Sequence, residues 1–215
     1  MRHPGACYLL YLVTLGGAAG CTTTYSPSPA VIEIDTARAL SPASHAMVEG
    51  VVTADAGAID DGFALQDASG GIYVIKARTL PLKVGEHVRV EGSIVAPNNQ
   101  KGIDPSAITR MGLATAALPP AQLRTGEVGA NSEGRLVAVR GKMTGEIIDD
   151  QPWGWKLYID DGSGALLVFV ASSTRIDLKH LRAGMRLTVT GFNGRYETHT
   201  EVLPRGPRDI SLAAD

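Results

Sequence analysis

Cysteine is almost absent. The chain of 215 residues has two, Cys7 and Cys21, both near its start. Beyond residue 21 there is no thiol for a disulfide, a zinc site or nucleophilic catalysis. Aromatic residues are only 5% of the chain, so the position of each one is informative. Charge of one sign is also lacking, with a net of −2. This excludes a general basic excess, through which phosphate neutralisation drives non-specific nucleic-acid binding, and leaves room only for a local patch. Metal-ligand spacing is missing among His45, His87, His180 and His199. Gly162-Ser163-Gly164 has no Lys-Ser/Thr partner of the kind a phosphate-binding loop uses. What the chain does have is glycine (25) and proline (12) in quantity. Those residues predict many turns and short strands, and a hydrophobic share of 44% suffices for a packed core.

The first residues read as a targeting segment. A short start with Arg2 and His3 precedes the apolar residues 6–15, and small residues follow up to Cys21. The apolar run is about half of the roughly twenty residues a spanning helix needs. Ala18-Ala19-Gly20-Cys21 resembles a bacterial lipobox, with Ala18 in place of the usual Leu or Val. The resemblance implies cleavage after residue 20 and acylation of Cys21. Thr22, rather than Asp, after the cysteine implies the periplasmic face of the outer membrane. An ordinary signal peptide with an incidental cysteine, and secretion to the periplasm, is the alternative. The polar, proline-rich TTTYSPSP that follows reads as a tether, and residues 21–44 are expected to be flexible.

The rest of the chain contains one strand pattern twice. Val48-Glu49-Gly50-Val51-Val52 corresponds to residues 137–143. Gly62-Phe63-Ala64-Leu65-Gln66-Asp67 and its continuation to Val74 correspond to residues 155–168. Asp67, Ser69 and Gly70 match Asp161, Ser163 and Gly164, a turn cluster between alternating strands. Val84-Gly85 through Gly92 corresponds to residues 183–191. Residues 108–113 and 201–212 supply candidate fifth strands. Leu178 and Leu181 suggest a short capping helix in the second connector, and Pro119-Pro120 suggests a short helix leading into the second copy. The expected fold is all-β, with two tandem five-stranded OB-type barrels and short capping helices after a cleaved lipoprotein signal. The expected divisions are residues 1–20 (signal), 21–44 (lipidated Cys21 and tether), 45–118 (first barrel) and 119–215 (second barrel). These turn and core motifs, together with Glu133-Gly134-Arg135 to Gly141 and Pro204-Arg205-Gly206-Pro207, resemble the tandem OB-like regions of secreted bacterial nucleases and of extracytoplasmic sensor-kinase segments. The resemblance implies an accessory module without the nuclease or kinase domain.

No catalytic set emerges, and neither a metal nor a cofactor is expected. Glu197, His199 and Glu201 could attract a metal, or form a polar loop or edge strand. Asp149-Asp150 and Asp160-Asp161 could attract calcium, or serve turns. The stronger surface is aromatic. Alternation places Phe63, Leu65, Ile72 and Val74 inside the first barrel, with Gln66, Tyr73 and Lys76 outside. In the second barrel it places Leu157, Ile159, Leu166 and Val168 inside, with Lys156, Tyr158, Leu167 and Phe169 outside. Trp153 lies in the loop just before, and Trp155 begins the strand. The outer face of the second and third strands is where OB folds usually bind ligands, and aromatics beside a lysine suit stacking on bases or sugars. The alternative is that Leu167 and Phe169 are covered by the other barrel or a terminal segment. Arg195, Arg205 and Arg208 could add a small basic patch. The ligand-binding candidates are therefore Tyr73, Trp153, Trp155, Lys156, Tyr158, Phe169, Arg195 and Tyr196. The expected function is a non-catalytic module at the outer membrane that binds an extracytoplasmic protein or glycan. The alternative is single-stranded nucleic-acid binding.

Overall fold

A computed structural model describes residues 30–213, apart from residues 57, 60, 78–79 and 116–117. The leader, Cys21 and the TTTYSPSP stretch lie outside the described residues. In the first unit, β1 (Val31–Ile32) and helix α1 (Ile34–Ala39) precede β2 (His45–Ala54), β3 (Phe63–Gln66), β4 (Gly71–Val74), β5 (Glu86–Val95) and β6 (Gly102–Leu113). In the second unit, β7 (Ala121–Leu123) precedes β8 (Leu136–Met143), β9 (Ile148–Asp150), β10 (Gly154–Asp160), β11 (Leu166–Ala171), β12 (Arg186–Tyr196), β13 (His199–Leu203) and β14 (Ile210–Leu212).

Each unit closes a five-stranded barrel. The first runs β2-β3-β4-β6-β5 and returns to β2, and the second runs β8-β10-β11-β13-β12 and returns to β8. In both rings only the third and fifth strands pair in parallel. Alternation decides the filling. Phe63, Leu65, Ile72 and Val74 are buried inside the first ring, and Leu157, Ile159, Leu166 and Val168 inside the second.

The structure corrects the expected start of the first unit. Residues 30–44 are not a tether. β1 pairs in parallel with β2, and Ile34 and Ala37, one helical turn apart, are fully buried in the first core. The second unit repeats this device with β7 and β8. Val31 faces Met47 and Ala121 faces Val137, the same sixteen-residue offset. The expected helix after Pro119 is instead β7 followed by two 3-10 turns, Thr125–Glu127 and Ala130–Ser132. The connector before β12 holds a 3-10 turn at Ser172–Thr174 but no helix over Leu178 and Leu181. Leu178 and Leu181 are buried against the core, but from a turn. The fifth strand is continuous and longer than expected in the first barrel, and split into β13 and β14 in the second.

The Asp-Ser-Gly turn does more than reverse the chain. Asp67 accepts hydrogen bonds from its own turn at Ser69 and Gly70, and also from the Ile34 N–H at 2.9 Å. Ser69 Oγ accepts from the Asp35 N–H at 3.1 Å. In the second unit Thr125 Oγ1 donates to Asp161 at 2.9 Å, and Ser163 Oγ accepts from the Gly126 N–H at 2.8 Å. Each turn thus satisfies orphan donors of the incoming segment, as an N-cap does for a helix.

The barrels pack against each other through the outer face of β3 and β4. Gln66 Oε1 accepts from the Leu136 N–H at 2.8 Å in a buried contact. Tyr73 lies 6.3 Å from Phe192, ring centre to ring centre, and Phe192 also packs on Ala54, Ala58, Ile59 and Ala64. The backbones of Gly71 and Gly134 touch: a Cβ on Gly71 would fall 2.0 Å from the Gly134 carbonyl oxygen. Glu133, 8% exposed, is held by Arg38 (3.4 Å), Arg195 (3.1 Å), Gln100 Nε2 (3.3 Å) and the Lys101 N–H (3.2 Å). Arg205 pairs with Asp209 and donates to the Thr53 carbonyl at 2.7 Å across the same boundary.

Two outcomes follow. Gly71→Ala is expected to lose at least about 2 kcal/mol in denaturant unfolding, because its methyl group meets backbone that cannot move away alone. An unchanged midpoint would mean that the barrels are not in this contact. Hydrogen bonds from Ser163, aided by Thr125 and by the charge of Arg124, hold the Asp161 carboxyl well below the usual carboxylate range. A depressed folded value means a stability contribution that is present at neutral pH and lost as pH falls through that value. A carboxyl NMR titration is expected to show Asp161 still ionised where ordinary aspartates have protonated, and Ser163→Ala is expected to raise its midpoint.

Candidate ligand-binding face of the second barrel

The outward positions of β10 and β11 are set by their register. Lys156 faces Phe169 and Tyr158 faces Leu167 across the antiparallel pair. On the other side of β10, Ile148 of β9 faces Lys156. On the far side of β11, Glu201 of β13 faces Leu167. The turn from β9 to β10 carries Trp153, which is 70% exposed and is tied down by backbone bonds to Asp150 and Ser172. Trp155 is half-buried and packs on the second core, so it supports the hairpin. Tyr158 and Ile148 are exposed, Phe169 is half-buried, and Leu167 is buried although alternation turns it outward.

The cation of this face is paired. Lys156 Nζ lies 2.7 Å from Asp150. The hydrogen bond to Asp150 raises its pKa, burial offsets part of that, and the charges of Asp150 and Glu201 add to the rise. Lys156 therefore stays protonated at physiological pH, but its charge is committed to a neighbouring carboxylate. The face combines exposed aromatic surface with a neutralised cation.

Three of the candidate residues lie elsewhere. Tyr73 is half-buried between the barrels against Phe192, with its hydroxyl 3.3 Å from Asp61. Arg195 is bound to Glu133 and, through its N–H, to Gln100, so it joins the barrels and is not part of a basic patch. Tyr196 is exposed at the β12–β13 turn, and the adjacent Glu197 is bonded to Asn98 and Asn99 of the first unit. The residues that share one end of the second barrel are Trp153, Trp155, Lys156, Tyr158 and Phe169.

The carboxylate clusters are used by turns. Asp149 accepts from the Gln151 N–H at 2.9 Å, and Asp160 from those of Gly162 and Gly164 at 2.7 and 3.2 Å. Among the described residues no three His, Cys, Asp or Glu side chains gather closely enough to hold a metal ion, Glu197, His199 and Glu201 included. Sequence reading missed the neutralising roles of Asp150 and Glu201. The strand periodicity held the signal for Glu201, which a parallel β11–β13 pairing brings to the face.

No family model and no curated protein matches the chain. Among solved structures, the hypothetical protein ygiW from E. coli is 25% identical over 40% of this chain and 94% of its own, with a TM-score of 0.34. Fission yeast Pot1 with single-stranded DNA is 8% identical over 84% of this chain and 87% of its own, with a TM-score of 0.39. The single-stranded DNA-binding protein from Thermus aquaticus is 16% identical over 81% and 95%, with a TM-score of 0.25.

The two tryptophans are expected to differ in solution. Iodide quenching should reach Trp153 and largely spare Trp155, so Trp153→Phe should remove most of the quenchable fluorescence. Equal quenching of both single-tryptophan variants would contradict this arrangement.

Proposed function

We propose that this chain is a non-catalytic binding module, anchored through Cys21 at the periplasmic face of the bacterial outer membrane. Its second barrel takes an uncharged or weakly charged segment of a glycan or protein against Trp153, Tyr158 and Phe169. The anchoring part is supported by the lipobox-like Ala18-Ala19-Gly20-Cys21. The ligand class is supported chiefly by one observation: the cation of the aromatic face is already paired, Lys156 with Asp150 at 2.7 Å. Aromatic rings with a polar edge favour stacking on sugar rings and apolar side chains. A nucleic-acid strand would bring phosphates to a face where Asp150 and Glu201 offset the lysine, whereas such ligands are normally held by unpaired cations beside stacking rings.

The outward tyrosine and phenylalanine would also suit stacked bases, and this keeps single-stranded nucleic acid as the second reading. The test separates the two. The chain from residue 21 onward, with Cys21→Ser, is titrated with soluble oligosaccharides, extracytoplasmic protein fractions and a single-stranded oligonucleotide, following tryptophan fluorescence at two salt concentrations. The expected result is saturable, salt-insensitive binding of a glycan or protein, weakened about tenfold or more by Trp153→Ala or Tyr158→Ala, a loss of about 1.4 kcal/mol. Oligonucleotide binding that falls steeply with salt and is lost in Tyr158→Ala would replace this reading with the nucleic-acid one.

A further inference from the structure

The outward face of β8 and β12 carries a second, unassigned surface. Arg140 and Lys142 occupy successive outward positions of β8, roughly 7 Å apart by strand geometry. Arg186 of β12 lies directly opposite Lys142, and Thr188 directly opposite Arg140. All three cations are exposed. Like charges facing each other across a strand pair repel and destabilise the sheet. None of the three makes an ion pair within 4.0 Å among the described residues, and the two carboxylates that share a groove with Arg140 are engaged elsewhere, Glu127 by the Arg124 N–H and Asp161 by Ser163 and Arg124. Asp160 is the register neighbour of Lys142, but its carboxylate is bound by the backbone of its own turn. The connector entering β12 passes beside this face, with its Gly184 next to the Lys142 side chain.

The form of this surface narrows its partner. The outward residues among the cations are small and polar, Thr188 and the Ser211 of β14 beside it. No aromatic interrupts them, so the face offers nothing for bases to stack on. It is part of the outer wall of the barrel, and its exposed cations make no ion pair among the described residues. A cluster of unpaired cations on one face suits a surface that presents many negative charges.

We propose that Arg140, Lys142 and Arg186 form an electrostatic contact for anionic phospholipid headgroups. The contact deepens the anchoring part of the proposed function and rests on it. One acyl attachment combined with a cationic patch holds a protein to a bilayer far better than either alone. The strain of facing like charges is then relieved when the face meets the bilayer.

The test uses the chain from residue 21 onward with Cys21→Ser, which keeps every described residue and removes the acyl site. It is mixed at low salt with vesicles of phosphatidylcholine alone, or of phosphatidylcholine with phosphatidylglycerol, and cosedimented. Binding is expected only to the anionic vesicles and is expected to disappear at high salt. Combined Arg140→Gln, Lys142→Gln and Arg186→Gln substitution is expected to lower the partition about a hundredfold, at about fivefold per cation. The same variant is expected to melt no lower than the parent, because it relieves repulsion. That pairing of lost binding with kept or gained stability distinguishes a contact surface from a folding defect. Equal binding to neutral vesicles, or an unchanged partition in the triple variant, would overturn the proposal. So would the absence of vesicle binding together with oligonucleotide binding through the same three cations. Acylation of Cys21 is scored separately, by metabolic labelling of cells that express the chain with and without Cys21→Ser, so failure of anchoring and failure of this contact give different results.

Discussion

The carboxylate of Glu133 is the constraint on which the arrangement of the two barrels depends. It is buried, and a buried charge is tolerated only when it is paired and hydrogen-bonded. Its partners come from three places: the end of α1 through Arg38, the loop before β6 through Gln100 and Lys101, and β12 through Arg195. Satisfying Glu133 therefore fixes the first helix, a loop of the first barrel and a strand of the second at once. Apolar packing around Phe192 supplies bulk attraction without direction. The ion network supplies the direction, and the Gly71–Gly134 approach sets the separation.

This junction explains why two barrels of the same strand order are not equivalent. The first barrel turns the outer face of its second and third strands, Gln66 and Tyr73, toward its neighbour. The corresponding face of the second barrel keeps Trp153 and Tyr158 open to solvent. Tyr73 and Leu167 hold matching positions in their sheets, each beside the start of a parallel third-to-fifth strand pairing. One is used against the other barrel, and the other lies within the aromatic face. The first barrel thus acts as a platform that orients the second.

The barrels were legible because their signal is local. Alternation at Phe63, Leu65, Ile72 and Val74, and at their counterparts in the second copy, gives the faces directly. The Asp-Ser-Gly pairs gave the hairpins, but not their second task, because the donors at Ile34 and Gly126 lie more than thirty residues away in the chain. The same limit hid the junction. Arg195 looked like part of a basic patch because nothing near it in sequence announces Glu133, 62 residues away. The start of the first unit was misplaced because proline-rich composition just before it masked the Ile34–Ala37 spacing, a single helical turn with too few residues to register as a pattern. Lys156 and Tyr158 were legible because they sit on a strand whose residues alternate cleanly, and Trp153 because it lies in the turn just before that strand. The neutralising role of Asp150 needed the β9–β10 hairpin to become visible.

The strand that opens the described chain, β1, runs parallel to its partner and touches it over only Val31–Met47 and Ile32–Val48. Tension applied at the N-terminal end would load that pairing in shear, along the strand axis, so its hydrogen bonds share the force instead of peeling one at a time. Behind it stands α1, fastened at its start to Asp67 and Ser69. A protein pulled from its leading end would transmit small forces into the first barrel as a rigid body. Larger ones would load this two-residue clasp before they reach the closed rings.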